Sequence, residues 1–358
     1  MKIVSIVGAR PNFIKLAPIH SSIREIAEHT IIHTGQHYDY NLFKIFFSEL
    51  SIPFPDYDLE VGSETASRQI AQMIDKLDDI FTKNKFDLAI VYGDTNSTLA
   101  GAITANKSEI KLAHVESGLR SFDKNMPEEI NRTITDHLSD FLFAPTDNAV
   151  INLKKENIGG KTYNTGDISV EIIEKVKIHN KSKILEKLDL QSLEYILLTM
   201  HRAENTNITD NLLTLIYTLA KLKEYKIIFP IHPRTLSFLK KNNLLEKIEE
   251  LPNVQIIDPL GYLDFICLMK NSSKIITDSG GIQKEAFLLK VPCITIRKNT
   301  EWIETVEYGG NLLTGLDPDK IIHAVKNWIP IKSNEKFLGN GKTSETIKEI
   351  IYQNLKGN

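Results

Sequence analysis

The chain has 358 residues, enough for two domains that each bury a core of their own. Its 43 Lys and Arg against 46 Asp and Glu leave a net charge of −3, so no strong field draws it to nucleic acid or to a membrane surface. Two cysteines in apolar runs, Cys267 and Cys293, make no disulfide framework. No run approaches the ~20 apolar residues of a membrane-spanning helix, and the expected setting is the cytoplasm.

Short apolar runs alternate with amphipathic segments along the chain. KIVSIV (2–7), TIIHT (30–34), LAIVY (88–92), KLAHV (111–115) and FLFA (141–144) have the length and composition of buried parallel strands. Helical stretches are predicted between them, near 11–28, 65–84, 96–107 and 127–138. The pattern resumes with YILLTM (195–200), KIIFPI (226–231), VQIID (254–258), KIITD (274–278) and CITI (293–296). Such alternation builds doubly wound parallel sheets, so the fold expected is α/β, with two Rossmann-like domains facing a central cleft. The polar, Gly-containing GGKTYNTGD (159–167) is the expected joint, which gives domains at 1–166 and 167–340. Residues 341–358 hold one more helix, from Thr343 to Leu355, suited to packing back on the first domain.

In open α/β sheets, ligands bind beyond the C-terminal ends of the strands, so the residues there carry the chemistry. GARPNFIK (8–15) follows the first strand: Gly8 permits a tight turn, Pro11 suits a first helical position, and Arg10 with Lys15 offers charge to an anion. It is not the GxGxxG fingerprint, so a dinucleotide redox reading loses its main support. Asp94 closes DLAIVYGD, and HVESGLRSFDKNMPEEINR (114–132) brings Glu116, then Glu128 and Glu129 in a first helical turn. Each acid alone has an ordinary explanation. Asp94 or Thr95 suits a helix cap, and Glu128 and Glu129 suit a helix dipole. Together they suit proton transfer at a carbon. His114 reads best as a structural histidine.

TMHRAEN (199–205) places His201 at another strand end, as a donor to phosphate or a proton carrier. His232-Pro233-Arg234 ends the next strand in a similar way. In TDSGGIQKEA (277–286), Ser279, Gly280 and Gly281 offer a hydroxyl and open N–H groups at a helix N-terminus, which suits phosphate. Glu285, one turn on, suits ribose hydroxyls. Gln36, His37 and Tyr38 are candidate sugar or loop contacts. There is no HExxH, CxxC or EF-hand loop, so no metal is expected, and no GxSxG elbow supports a serine hydrolase.

GARPNFIKLAP, TGQHYDYN, YGDTNSTLAG, HVESGLRSFD, MPEEINR, TMHRAEN, PLGYLDF, TDSGGIQKEA, the TEWIET region and GGNLLTG run in order over nearly the whole chain. On these motifs it resembles the non-hydrolysing UDP-N-acetylglucosamine 2-epimerases. The resemblance implies a glycosyltransferase-B type fold with UDP held mainly by the second domain. It implies reversible inversion at C2 between UDP-N-acetylglucosamine and UDP-N-acetylmannosamine, with UDP eliminated to leave 2-acetamidoglucal and then added back. No cofactor is implied, the partner is the UDP-sugar, and a homodimer is common among similar enzymes. Asp94, Glu116 and Glu128 match the family's catalytic carboxylates, Lys15 a substrate-site lysine, Phe265 a residue flanking uracil and Glu285 the ribose contact. Arg10, His201 and the Ser279–Gly280–Gly281 backbone are suited to stabilising the departing diphosphate. Bacterial members often carry Arg where this chain has Trp302, and a polar residue where it has Leu260. TGQHYDYN differs from the TGQHREML type associated with allosteric activation, so that regulation is not expected. Epimerases of UDP-diacetamido-glucuronate share much of the framework. A hydrolysing epimerase and a glycosyltransferase of the same fold type are the alternatives.

Overall fold

A computed structural model of the protein describes residues 1–35, 47, 49–62, 64–179, 182–330 and 335–356. Its contacts divide into two compact units, Met1–Lys175 with Lys336–Asn358 and Val176–Glu335.

The first unit is built on a seven-stranded sheet. Its strands are β1 (Lys2–Val7), β2 (Glu28–His33), β3 (Tyr57–Asp58), β4 (Leu88–Tyr92), β5 (Lys111–Val115), β6 (Phe141–Ala144) and β7 (Lys161–Asn164). They lie in the order β3-β2-β1-β4-β5-β6-β7, every neighbouring pair parallel. Helices cover both faces, which is why β4 and β6 are buried at every residue and read as unbroken apolar runs. KTYN, expected within the joint, is instead the edge strand β7, pairing Phe141 with Lys161 through Ala144 with Asn164. Exposed at one edge and polar, it lacks the apolar run that marks a buried strand. The chain passes to the second unit within the helix Ile168–His179. It returns for the helix Thr343–Leu355, which packs along Arg10–Ile23 and buries Ile347 and Ile351 completely.

The second unit holds a six-stranded parallel sheet in the order β10-β9-β8-β11-β12-β13. Its strands are β8 (Tyr195–Thr199), β9 (Lys226–Pro230), β10 (Val254–Ile257), β11 (Lys274–Thr277), β12 (Cys293–Thr295) and β13 (Asn311–Leu313). In each sheet the chain winds outward from a central strand and then returns to that strand's other side. The reversal falls between β1 and β4 in one sheet and between β8 and β11 in the other. A crevice opens at the C-terminal end of such a switch point, and that is where open α/β sheets bind ligands. Among the described residues, no helix is long and apolar enough to cross a membrane.

Candidate active site

Both switch points carry the residues singled out from the sequence. In the first unit the loops after β1 and β4 are tied together by Asn12. Its Oδ1 accepts from the N–H groups of Gly8 (3.2 Å) and Ala9 (3.0 Å), while its Nδ2 donates to the Tyr92 carbonyl (2.8 Å). Arg10 opens the helix Arg10–Ile23. Lys15, further along that helix, places Nζ 2.6 Å from Glu116 Oε1, and both side chains are about nine-tenths buried. Glu116 takes the left-handed φ of 73°, uncommon for a residue with a side chain, and its N–H donates to the Phe143 carbonyl (3.1 Å). Gly93 lies at φ 64°, and a Cβ there would come within 2.8 Å of Lys15 Nζ and 3.5 Å of Glu116 Oε1. A side chain at 93 would therefore be strained in the backbone and would crowd this ion pair.

Asp94 follows directly, with its carboxylate paired to Arg132. Asn131 Nδ2 donates to the Asp94 carbonyl at 2.9 Å, so two neighbouring residues of the helix Pro127–Leu138 hold Asp94. Glu128 lies one turn before them, on the same helical face and half-buried. Glu129 has a different task. Buried, it accepts from the Ser121 N–H (2.8 Å), the Ser121 hydroxyl (3.0 Å) and the Phe122 N–H (2.9 Å), and it pairs with Arg132 (3.1 Å). This fixes the loop after Glu116. Arg120 points inward to two acids, with its Nη1 2.7 Å from Asp136 Oδ2 and two bonds to Glu156 at 2.7 Å each. His114, near the end of β5, is wholly buried.

In the second unit the fully buried Asp278 organises the loop after β8. Its carboxylate accepts from the N–H groups of His201 (3.1 Å) and Arg202 (2.9 Å) and from Asn205 Nδ2 (3.0 Å). The His201 side chain stays 36% exposed, with Nδ1 3.5 Å from Asp278 and the ring 5.3 Å from that of His232. His232 caps the helix Pro233–Lys241, its Nδ1 accepting from the Arg234 N–H at 3.1 Å. The ring proton of a neutral His232 is therefore on Nε2.

Ser279 precedes the helix Gly280–Leu289, but its hydroxyl makes no capping bond to it. A Cβ on Gly280 would overlap the carboxylate of Glu301, whereas one on Gly281 would meet open space. Glu301 is buried, paired with Arg297 at 2.9 Å and 3.8 Å from Arg202. Glu285 is also buried and accepts from the Tyr262 hydroxyl at 3.2 Å. Phe265 lies three residues after Tyr262 on the helix Tyr262–Asn271, so one face of that helix serves both. Trp302 is buried beneath Lys284, whose Nζ lies 4.5 Å from the ring centroid, a cation–π contact. It fills core space that a shorter or charged side chain would leave unpacked.

The structure thus gathers Lys15, Asp94 and Glu116 in one unit, beside the helix that bears Glu128. In the other it places His201 and Ser279–Gly281 at adjacent strand ends, with Glu285 and Phe265 linked through Tyr262. Asn12, Arg132, Asp278 and Glu301 were not read from sequence. Asp278 stood in plain view in TDSGG, where an acid before Ser-Gly-Gly is itself the signal. The others act through partners a single turn or tens of residues away that no local pattern names. Gln36, His37 and Tyr38 lie outside the described residues. No cluster of three or more His, Cys, Asp or Glu suited to a metal ion occurs among the described residues.

Known proteins share the sequence and the fold of this chain. A family model described as UDP-N-acetylglucosamine 2-epimerase matches residues 21–352. A Methanococcus maripaludis protein named UDP-N-acetylglucosamine 2-epimerase homolog is 51% identical over 355 residues, spanning 98% of this chain and 99% of its own. A Pseudomonas aeruginosa UDP-2,3-diacetamido-2,3-dideoxy-D-glucuronate 2-epimerase is 40% identical, over 98% of this chain and 99% of its own. The crystal structure of Methanocaldococcus jannaschii UDP-GlcNAc 2-epimerase, in complex with UDP-GlcNAc and UDP, superposes with a TM-score of 0.93 at 44% identity. That match covers 99% of this chain and 100% of the other.

Proposed function

Because the chain belongs to the UDP-N-acetylglucosamine 2-epimerase family, and is an isomerase of that kind, we propose that it interconverts UDP-N-acetylglucosamine and UDP-N-acetylmannosamine by eliminating UDP and adding it back. The observation that carries this reading is the pairing of Glu116 with Lys15 and of Asp94 with Arg132 at adjacent strand ends. Inversion at C2 needs a base on one face of the sugar and an acid on the other, and neither carboxylate is spent as a helix cap.

In the forward step one carboxylate takes the proton from C2. The C2–H electron pair becomes the C1=C2 bond, and the anomeric C–O bond breaks with its electrons on the β-phosphate oxygen of UDP. This leaves 2-acetamidoglucal. A proton then returns to the opposite face of C2 as the UDP oxygen re-forms its bond to C1, so nothing is consumed. Asp94, Glu116 and Glu128 form the set from which both proton carriers are drawn. Lys15 binds beside Glu116. Arg10, His201 and the Ser279–Gly281 backbone meet the negative charge that grows on the diphosphate. Glu285 holds the ribose and Phe265 flanks the uracil. The enzyme is proposed to act as a homodimer, in a reducing compartment where Cys267 and Cys293 stay free.

The likeness to the diacetamido-glucuronate epimerase supports one second reading, the same chemistry on that sugar. Incubation with each UDP-sugar in deuterated water separates the two. The expected result is deuterium at C2 and the manno epimer from UDP-N-acetylglucosamine. Free UDP should not accumulate in step with product, as it would with a hydrolysing enzyme. Asp94→Asn and Glu116→Gln should each lower turnover by roughly 10²–10⁴-fold. No exchange and no epimer from the folded wild type would refute the assignment.

A further inference from the structure

One buried group on β5 has no part in the reaction above. His114 has no exposed surface, and each ring nitrogen has a close partner: Asp136 Oδ1 at 2.6 Å from Nδ1 and the Gly93 carbonyl oxygen at 2.7 Å from Nε2. A carbonyl oxygen has no proton to give, so Nε2 donates. Asp136 has none to give either. Its Oδ2 accepts from the Gly118 N–H at 3.0 Å and lies 2.7 Å from Arg120 Nη1. With that N–H and the Arg120 guanidinium both aimed at it, the Asp136 carboxylate acts as an acceptor only. Nδ1 therefore donates as well, and an imidazole with two donors is an imidazolium. Glu156, its side chain 27% exposed, supplies the second anion through Arg120, so the buried His114, Arg120 and Asp136 are balanced by a carboxylate nearer the surface. The charged groups on the far side of Gly93 are Lys15 and Glu116.

The atom this cation holds belongs to the one residue between Tyr92 and Asp94. The carbonyl of Gly93 is fixed from below by His114, while its α-carbon lies against the Lys15–Glu116 pair. We propose that His114 is a positioning residue for the epimerisation: a doubly protonated ring, clamped by Asp136, that pins the Gly93 carbonyl and so sets Asp94 and Glu116 relative to C2 of the sugar. The inference rests on the reading of those carboxylates given above. A small misplacement of such groups costs turnover more than it costs binding.

Two substitutions separate the two bonds. The amide of Gln reaches the place of Nε2 and can still donate to Gly93, whereas that of Asn reaches the place of Nδ1 and can donate only to Asp136. His114→Asn is expected to lower kcat by ~10–100-fold with KM for UDP-N-acetylglucosamine little changed. His114→Gln should retain clearly more of kcat, with UDP binding by calorimetry the same in both. Equal losses of kcat that follow thermal stability would reduce His114 to a structural role and overturn the proposal. A second measurement needs no variant to fold. In ¹⁵N-histidine-labelled wild type, one ring with nuclear Overhauser contacts to Gly93 should carry protons on both nitrogens at the pH of the turnover assay. A single ring N–H there would overturn the inference. This signature is independent of turnover, so a wild type with the doubly protonated ring but no C2 exchange would refute the epimerase reading alone.

Discussion

Gly280 and Gly281 are neighbours of one residue type with opposite requirements. A methyl group on Gly280 would overlap the buried carboxylate of Glu301, which is held by Arg297, while one on Gly281 would point into open space. Gly280→Ala should cost ~1–3 kcal/mol through overpacking and lower the melting temperature of the second unit by a few degrees. Gly281→Ala should melt as the wild type does but bind UDP more weakly in calorimetry, because the added methyl occupies the space assigned to phosphate. Equal melting shifts would show that Glu301 swings away freely. The sequence pattern gave Ser-Gly-Gly its phosphate character but could not say which glycine yields to the protein and which to the ligand, since Glu301 lies about 20 residues away. In the same way Asp94, Glu116 and Glu128 were legible as strand-end and helix-start acids. The division of labour between Glu128 and Glu129 was not, because it depends on the fold of loop 121–122.

At the scale of elements, a polar chain crosses the core of the first unit. His20 Nδ1 on the first helix lies 3.0 Å from His29 Nδ1 on β2, His29 Nε2 lies 2.8 Å from Ser5 Oγ on β1, and Ser5 Oγ lies 2.6 Å from the Tyr92 hydroxyl on β4. Burial, then the nearby His20 and Arg24, lower His29 from 6.5 to about 3. Burial and Arg24 also lower His20, against a smaller pull from Asp56. The unfolded chain therefore binds protons that the folded one refuses. Above pH 6.5 His29 does not affect stability. As pH falls from 6.5 toward 3 stability drops, by up to about 2 kcal/mol at pH 5 from His29 alone. Urea midpoints at pH 7.5 and pH 5 should show this fall, and His29→Gln should flatten it. An unchanged slope in the variant would place the acid sensitivity elsewhere. The strands this chain joins were all legible, since β4 is a buried apolar run and β1 and β2 each contain one. Edge strands β3, β7 and β13 were not, because they are short and draw their shape from a neighbour's hydrogen bonds rather than from their own pattern.

For the whole molecule, the telling feature is that the first unit is assembled from two distant stretches. The helix Thr343–Leu355 joins it through Ser344 Oγ, 3.0 Å from Ser22 Oγ, through the Thr343 hydroxyl on the Thr165 carbonyl (3.1 Å), and through an ion pair of Lys348 with Glu25 at 2.7 Å. Leu338, Ile347 and Ile351 are fully buried, each contributing ~1.5–3 kcal/mol, a sizeable share of the ~5–15 kcal/mol that holds a typical domain. A chain stopped after Glu335 should therefore lose the melting transition of the first unit in calorimetry while keeping that of the second. An intact pair of transitions would show the helix to be dispensable. The same arrangement orders events on the ribosome. The residues of the second unit are all made while the first still lacks Lys336–Asn358. At ~5–20 residues per second the early-made sheet waits on the order of ten seconds, with the surface around Ser22 bare, before its missing helix emerges. That interval is when a nascent chain most needs a chaperone, and a late-made segment decides when the early-made half becomes safe.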